Sequence, residues 1–215
     1  MGFGLEAGLN CAKDRTMTAG VKRDTKIRYG MRLGAMADIG ISDALYLQPG
    51  LYYVGNGYKV DVKGGYEEYA INMVEIPVNL MYRINNIGSG NMFVGAGPFI
   101  GFAANGYNRV VSAPVLDARS DLKIGNEKGD EVRGLDFGLG ANVGYQLPAG
   151  FFVRVRAQMG LLNVRAQGDS DNYLRSVNFG FSIGYIFYRK DEQGRLEVKR
   201  TRKIKKYKSE ERTTP

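Results

Sequence analysis

The sequence predicts an all-β fold: an eight-stranded antiparallel up-and-down β-barrel that crosses a membrane, followed by a basic C-terminal tail. Three observations predict it. In residues 135–147 every odd position is apolar (Leu135, Phe137, Leu139, Ala141, Val143, Tyr145, Leu147) and every even one is polar or glycine. Such strict period-two alternation makes a strand with two unlike faces. It outruns the usual strand of about five or six residues and suits the roughly nine to eleven needed to cross a bilayer at a tilt of about 45°. Seven other segments alternate in the same way. The connections between the strands run long, short, long, short, long, short, long, as short periplasmic turns and longer outer loops do in transmembrane barrels.

The first strand covers residues 2–12, with Phe3, Leu5, Ala7, Leu9 and Cys11 on the lipid face and Gly4, Glu6, Gly8 and Asn10 on the other. Residues 13–27, with five basic and two acidic side chains, read as a long loop. The second strand, 28–41, sends Tyr29, Met31, Leu33, Ala35, Ala37, Ile39 and Ile41 outward, and Arg32 and Asp38 inward. A turn at 42–44 leads to the third strand, 45–58, with Leu45, Leu47, Leu51 and Tyr53 outward and Gln48 and Tyr52 inward. Pro49 sits awkwardly there, because proline cannot donate to a ladder. Residues 59–68 read as a second polar loop. The fourth strand, 69–84, has Val74, Ile76, Val78, Leu80 and Tyr82 outward, and Glu75, Asn79 and Arg83 inward.

A Gly/Asn turn at 85–90 opens the fifth strand, 91–107, with Gly95, Gly97, Phe99 and Gly101 inward. Residues 108–130 form the longest loop. The sixth strand is 135–147, with Asp136 inward. After a turn at 148–150, the seventh, 151–163, places Arg154, Arg156 and Gln158 inward. Residues 164–173 make the last loop. The eighth, 174–188, carries Val177, Phe179, Phe181, Ile183, Tyr185 and Phe187 outward.

Composition agrees. Thirty glycines suit a narrow lumen and fourteen tyrosines suit interface belts that contain no Trp. Met1 leads at once into strand-like Gly2-Phe-Gly-Leu-Glu6, so the reading is a mature chain with an added start Met and its export signal removed. One cysteine excludes an internal disulfide.

Tyr69-Ala-Ile-Asn-Met-Val-Glu-Ile-Pro-Val-Asn-Leu-Met-Tyr82 resembles the Ile-Glu-Ile-Pro strand of the PorT-like small outer-membrane β-barrels of Bacteroidota. Met92-Phe-Val-Gly-Ala-Gly-Pro-Phe-Ile-Gly101 resembles the glycine strand that follows it. Asp136-Phe-Gly-Leu-Gly140 and the aromatic last strand match as well. The resemblance covers residues 2–188. It implies the fold and an outer-membrane location, and leaves the activity open because the family is broad. The particular motifs of the secretion-system member that names the family are not seen.

The rival fold is a soluble calycin-like barrel with the apolar face inside. The glycines argue against it, since a soluble exterior would not favour residues that weaken strands. So do the inward charges, which balance: Glu6, Asp38, Glu75 and Asp136 against Arg32, Arg83, Arg154 and Arg156. Equal numbers point to an internal ion-pair network, because unpaired buried charges cost several kcal/mol each. Eight strands leave an interior that side chains can fill, so a plugged lumen is expected. A narrow porin-like channel, with the four arginines as an anion filter, is the alternative.

The chain has no histidine, the usual general base of hydrolases and acyl transferases. No catalytic residue, cofactor or metal site is expected. Cys11 shares the apolar parity and reads as a small lipid-facing residue. Gly95-Ala-Gly97-Pro-Phe-Ile-Gly101 lacks the Lys-Ser/Thr pair and helix of a phosphate loop. Asp169-Ser-Asp171-Asn172 lacks the glycine and terminal Glu of a calcium loop.

Residues 189–215 hold eleven Lys/Arg and five Asp/Glu, a net +6 of the chain's +8. On a periplasmic tail this charge does not imply nucleic acid. Leu196 and Val198 suit strand addition to a neighbour. Lys199, Arg200, Arg202, Lys203, Lys205 and Lys206, with Tyr207 beside them, suit lipid headgroups or an acidic protein face. The expectation is thus a barrel at 1–188 with a docking tail at 189–215. Its partners would be outer-membrane lipid and periplasmic or outer-membrane proteins, and its role that of a non-enzymatic scaffold or accessory subunit of an assembly for export, uptake or barrel insertion.

Overall fold

The computed structural model describes residues 1–112, 116–125, 127, 129–166 and 171–188. Twelve strands appear among them: β1 Gly2–Ala12, β2 Arg15–Thr18, β3 Val21–Arg23, β4 Arg28–Gly40, β5 Leu45–Val62, β6 Gly65–Ile87, β7 Gly90–Ser112, β8 Leu116–Asp121, β9 Leu135–Gln146, β10 Phe151–Gly160, β11 Tyr173–Arg175 and β12 Val177–Tyr188. None of the described residues is helical. Eight strands pair antiparallel in a ring, β1 to β4, β5, β6, β7, β9, β10, β12 and back to β1. Each has two neighbours, so none leaves a backbone edge for lipid, which cannot satisfy one. At the long-loop end, β8 extends the sheet beside β7, and β11, β2 and β3 form a small sheet.

The predicted faces are those seen. Phe3, Leu5 and Leu9 are 62%, 58% and 61% exposed, while Glu6 between them is 3% exposed. Leu33, Leu80, Phe137, Val155, Phe181 and Ile183 continue the outer row. Arg32, Glu75, Asp136 and Arg154 lie inside. Glycine makes room there for rings from adjacent strands. Tyr52 lies opposite Gly34, Phe93 opposite Gly144, Phe99 opposite Gly138 and Phe152 opposite Gly184. A Cβ on any of these glycines would fall within 2.5 Å of the partner ring.

Several expected boundaries are wrong. Residues 59–68 are strand rather than loop: β5 and β6 run on to a tight turn at Lys63-Gly64, where Gly64 takes φ 82°. The inward and outward parity is unbroken there, but the two faces exchange character. Tyr58 is buried, Val60 packs against an apolar cluster inside, and Asp61 is exposed. The predicted loop 108–130 contains the end of β7 and all of β8, and 13–27 contains β2 and β3. The seventh barrel strand stops at Gly160. The eighth is split, with Val177 N–H directed to the Asp14 carboxylate at 3.4 Å beside the break. Pro49 does lie within a strand, and the β4–β5 ladder lapses beside it, between Met36↔Gly50 and Ile39↔Leu47.

Two apolar clusters bracket the lumen. Met36, Tyr52, Val54, Met81, Phe93, Phe152 and Ile186 pack towards the short-turn end. Tyr58, Ile71, Met73, Leu122, Val132, Val164 and Leu174 pack at the long-loop end.

Candidate functional site

Between the two clusters lies a layer of charge. Glu6, on β1, is its centre. Its Oε2 accepts from Arg154 Nη1 at 2.9 Å and from the Tyr52 hydroxyl at 3.1 Å. Its Oε1 accepts from Arg156 Nη2 at 2.5 Å and from the Ser182 hydroxyl at 2.7 Å. Alternation on β1, β5, β10 and β12 aims all five side chains inward. Arg154 Nη2 also donates to Gln48 Oε1 at 2.7 Å, and Gln48 Nε2 donates to Asp38 Oδ1 at 3.2 Å. Arg83 Nη2 reaches Asp38 Oδ2 at 2.9 Å, and its guanidinium lies 3.9 Å from the Tyr46 ring centre. A chain of charge-assisted bonds therefore runs from Arg83 at the short-turn end to Arg156 in mid-barrel.

A second group lies alongside. Arg32 Nη1 sits 2.7 Å from Glu75 Oε2, which also accepts from Gln158 Nε2 at 3.3 Å. The Arg32 guanidinium stacks 4.0 Å from the centre of the Tyr52 ring. Cation–ring contacts reach about 2 kcal/mol when desolvated. Asp136 stands apart. It is 0% exposed and accepts from the Ser176 hydroxyl at 2.6 Å. Of the eight residues predicted for the lumen, seven are thus joined in ion pairs, two arginines share Glu6, and Asp136 pairs with a hydroxyl.

Sequence reasoning missed a further pair nearer the loops. Arg28 Nε lies 2.9 Å from Glu68 Oε1, and Lys59 Nζ lies 3.6 Å from Glu68 Oε2. Arg28 Nη1 also donates to the Asn56 carbonyl at 3.1 Å. Continued alternation through 56–70 was the signal, hidden by treating 59–68 as loop. Beyond the end of β1, burial raises the Asp14 carboxyl well above the usual carboxylate range, partly offset by the Val177 N–H.

These side chains fill the barrel. The cavity between Asp38, Gln48, Arg83 and Arg154 measures ≈ 10 Å³, about the space of one water. Among the described residues no group of three or more His, Cys, Asp or Glu is placed to hold a metal. Asp169 and the docking residues Leu196, Val198, Lys199, Arg200, Arg202, Lys203, Lys205, Lys206 and Tyr207 lie outside the described residues. Cys11 is a free thiol on the outer row, opposite Tyr29 and Phe179.

A model of the outer membrane protein beta-barrel domain matches residues 1–166, most of the chain. The chain belongs to that family. As a member it is a protein of the bacterial outer membrane. Its fold is similar to that of Neisserial surface protein A at 13% identity, covering 86% of this chain and 97% of that one, with a TM-score of 0.48. It is also similar to Ail, the attachment invasion locus protein of Yersinia pestis, at 12% identity, with 86% and 98% covered and a TM-score of 0.42. The outer membrane enzyme PagL is similar at 13% identity, with 82% and 98% covered and a TM-score of 0.44. No curated protein sequence matches.

Proposed function

We propose that this outer-membrane barrel is a non-enzymatic scaffold or accessory subunit of a membrane assembly for export, uptake or barrel insertion, of the PorT-like kind. The observation that carries the reading is the filled lumen. Arg154 and Arg156, two strands away from Glu6 around the ring, reach across β12 to converge on it, with ring-packed residues on one side and an apolar cluster on the other. An interior closed by ion pairs offers solutes no path, which leaves the surfaces and termini to do the work. The lack of histidine removes the commonest general base. Alternating connection lengths favour the long-loop end outside and both termini in the periplasm, where the +6 tail would meet acidic partners.

The test is a tail truncation. Full-length protein and a 1–188 version are crosslinked in cells of the native host, extracted in mild detergent and compared by mass spectrometry. The reading expects specific partners with the full chain, lost on truncation, while both versions keep the heat-resistant migration of a folded barrel. Equal recovery with both would overturn the tail's role.

A further inference from the structure

The β1–β12 ladder does not end at the membrane. Gly2 lies opposite Tyr188 and Ala12 opposite Asn178, and the same register carries on as Arg15 opposite Arg175 and Met17 opposite Tyr173. Lys13 N–H donates to the Val177 carbonyl at 2.8 Å across the gap. Parity is therefore unbroken: the lipid-facing row Leu9, Cys11 continues as Lys13, Arg15, and the row Phe181, Phe179 leads through Val177 to Arg175. Burial agrees, with Asp14, Thr16, Leu174 and Ser176 turned in, and Lys13, Arg15 and Arg175 exposed. Lys22, opposite Met17 on β3, is exposed beside them.

These cations face sideways, along the membrane, just above the apolar belt. Lys13 is two residues and Arg15 four residues beyond Cys11, about 7 and 13 Å along the strand. At a tilt of about 45° that is roughly 5 and 9 Å above the last apolar row, the depth of a headgroup layer. Among the described residues none of the four makes an ion pair. Arg15 and Arg175 oppose one another directly, and like charges in that position destabilise a ladder. An anion between them would remove the repulsion and gain charge-assisted hydrogen bonds.

We propose that Lys13, Arg15 and Arg175, with Lys22 at the rim, form a lateral site for the phosphate groups of an outer-leaflet glycolipid. Its place in the outer leaflet rests on the reading that the long-loop end faces outward. The phosphate lies against the guanidiniums of Arg15 and Arg175, while the acyl chains run down the exposed faces of Leu9, Phe179 and Phe181.

The test uses the full chain in detergent micelles, which have no sides, so its outcome is independent of which end faces out. Native mass spectrometry reads retention of bisphosphorylated lipid A, dephosphorylated lipid A and inorganic phosphate. The expected result is an adduct with the phosphorylated lipid, none with the other two, and affinity falling about fivefold for each charge removed in Lys13→Gln, Arg15→Gln and Arg175→Gln. Arg119→Gln, on β8 away from the site, should bind as the wild type does. If the triple variant fails to refold, the single Arg15→Gln carries the same expectation of about fivefold. Equal retention of both lipids, capture of inorganic phosphate, or unchanged binding by the folded variants would overturn the proposal.

Discussion

Glu6 accepts from two guanidiniums and two hydroxyls, so its removal strands more partners than any other lumen substitution. Breaking a buried pair from one side costs about 3–5 kcal/mol. Glu6→Gln should therefore lower urea stability by about that much in refolded protein, while replacing Glu6, Arg154 and Arg156 together with apolar residues should cost far less. The glycines opposite rings are similarly intolerant. In Gly184→Ala the new Cβ would lie 2.3 Å from Phe152 Cζ and 2.4 Å from the Leu5 carbonyl oxygen. Overpacking of this sort costs about 1–3 kcal/mol, to be read from the same urea curves. Asp14 gives a pH dependence. Its folded-state affinity for a proton exceeds that of the unfolded chain because burial raises it. Stability from this group therefore falls as pH rises from the unfolded value of about 3.9 through the raised folded one. Asp14→Asn should raise the unfolding midpoint at pH 8 and change it little at pH 3, measured by thermal scans across that range.

At the scale of elements, the membrane boundary is written as an exchange of chemistry between the two faces of an unbroken strand. In β5 the odd positions Leu45, Leu47, Leu51 and Tyr53 form the outer apolar row; beyond it the outward parity carries the charged Asp61, and the inward one carries the apolar Tyr58 and Val60. Lys26 Nζ pairs with Asp61 at 2.6 Å on the outside of that extension. Above the lipid the wall is arranged like that of a water-soluble barrel, apolar within. The alternation of the lipid-facing strands was legible because one face must be greasy over the full belt. The extensions were not, because above the lipid the apolar residues occupy the inward rather than the outward parity, and Lys59, Asp61 and Lys63 gave the look of a loop. The lumen charges were legible from parity alone. Their partners were not, since register and the rotamers of long arginines decide which carboxylate each one meets. A specific consequence follows for the turn at Lys63-Gly64. Gly64→Val places a β-branched residue at φ 82°, where strain costs roughly 1–3 kcal/mol. Faster protease cleavage near residue 64, with the barrel itself intact, is the expected readout.

For the whole molecule, closure of the ring and filling of its centre act together. Eight strands make a wall whose interior side chains can just occupy, and the structure packs it with seven paired charges between two apolar clusters. Fold and outer-membrane location follow from the wall and from family membership. The proposed scaffold role rests on the sealed interior, so conductance tests it most directly. Purified protein is inserted into planar bilayers and recorded at single-molecule resolution in molar salt. A sealed lumen predicts no steady steps above the bare membrane for the wild type. Uniform, ohmic steps that recur with each insertion would contradict it.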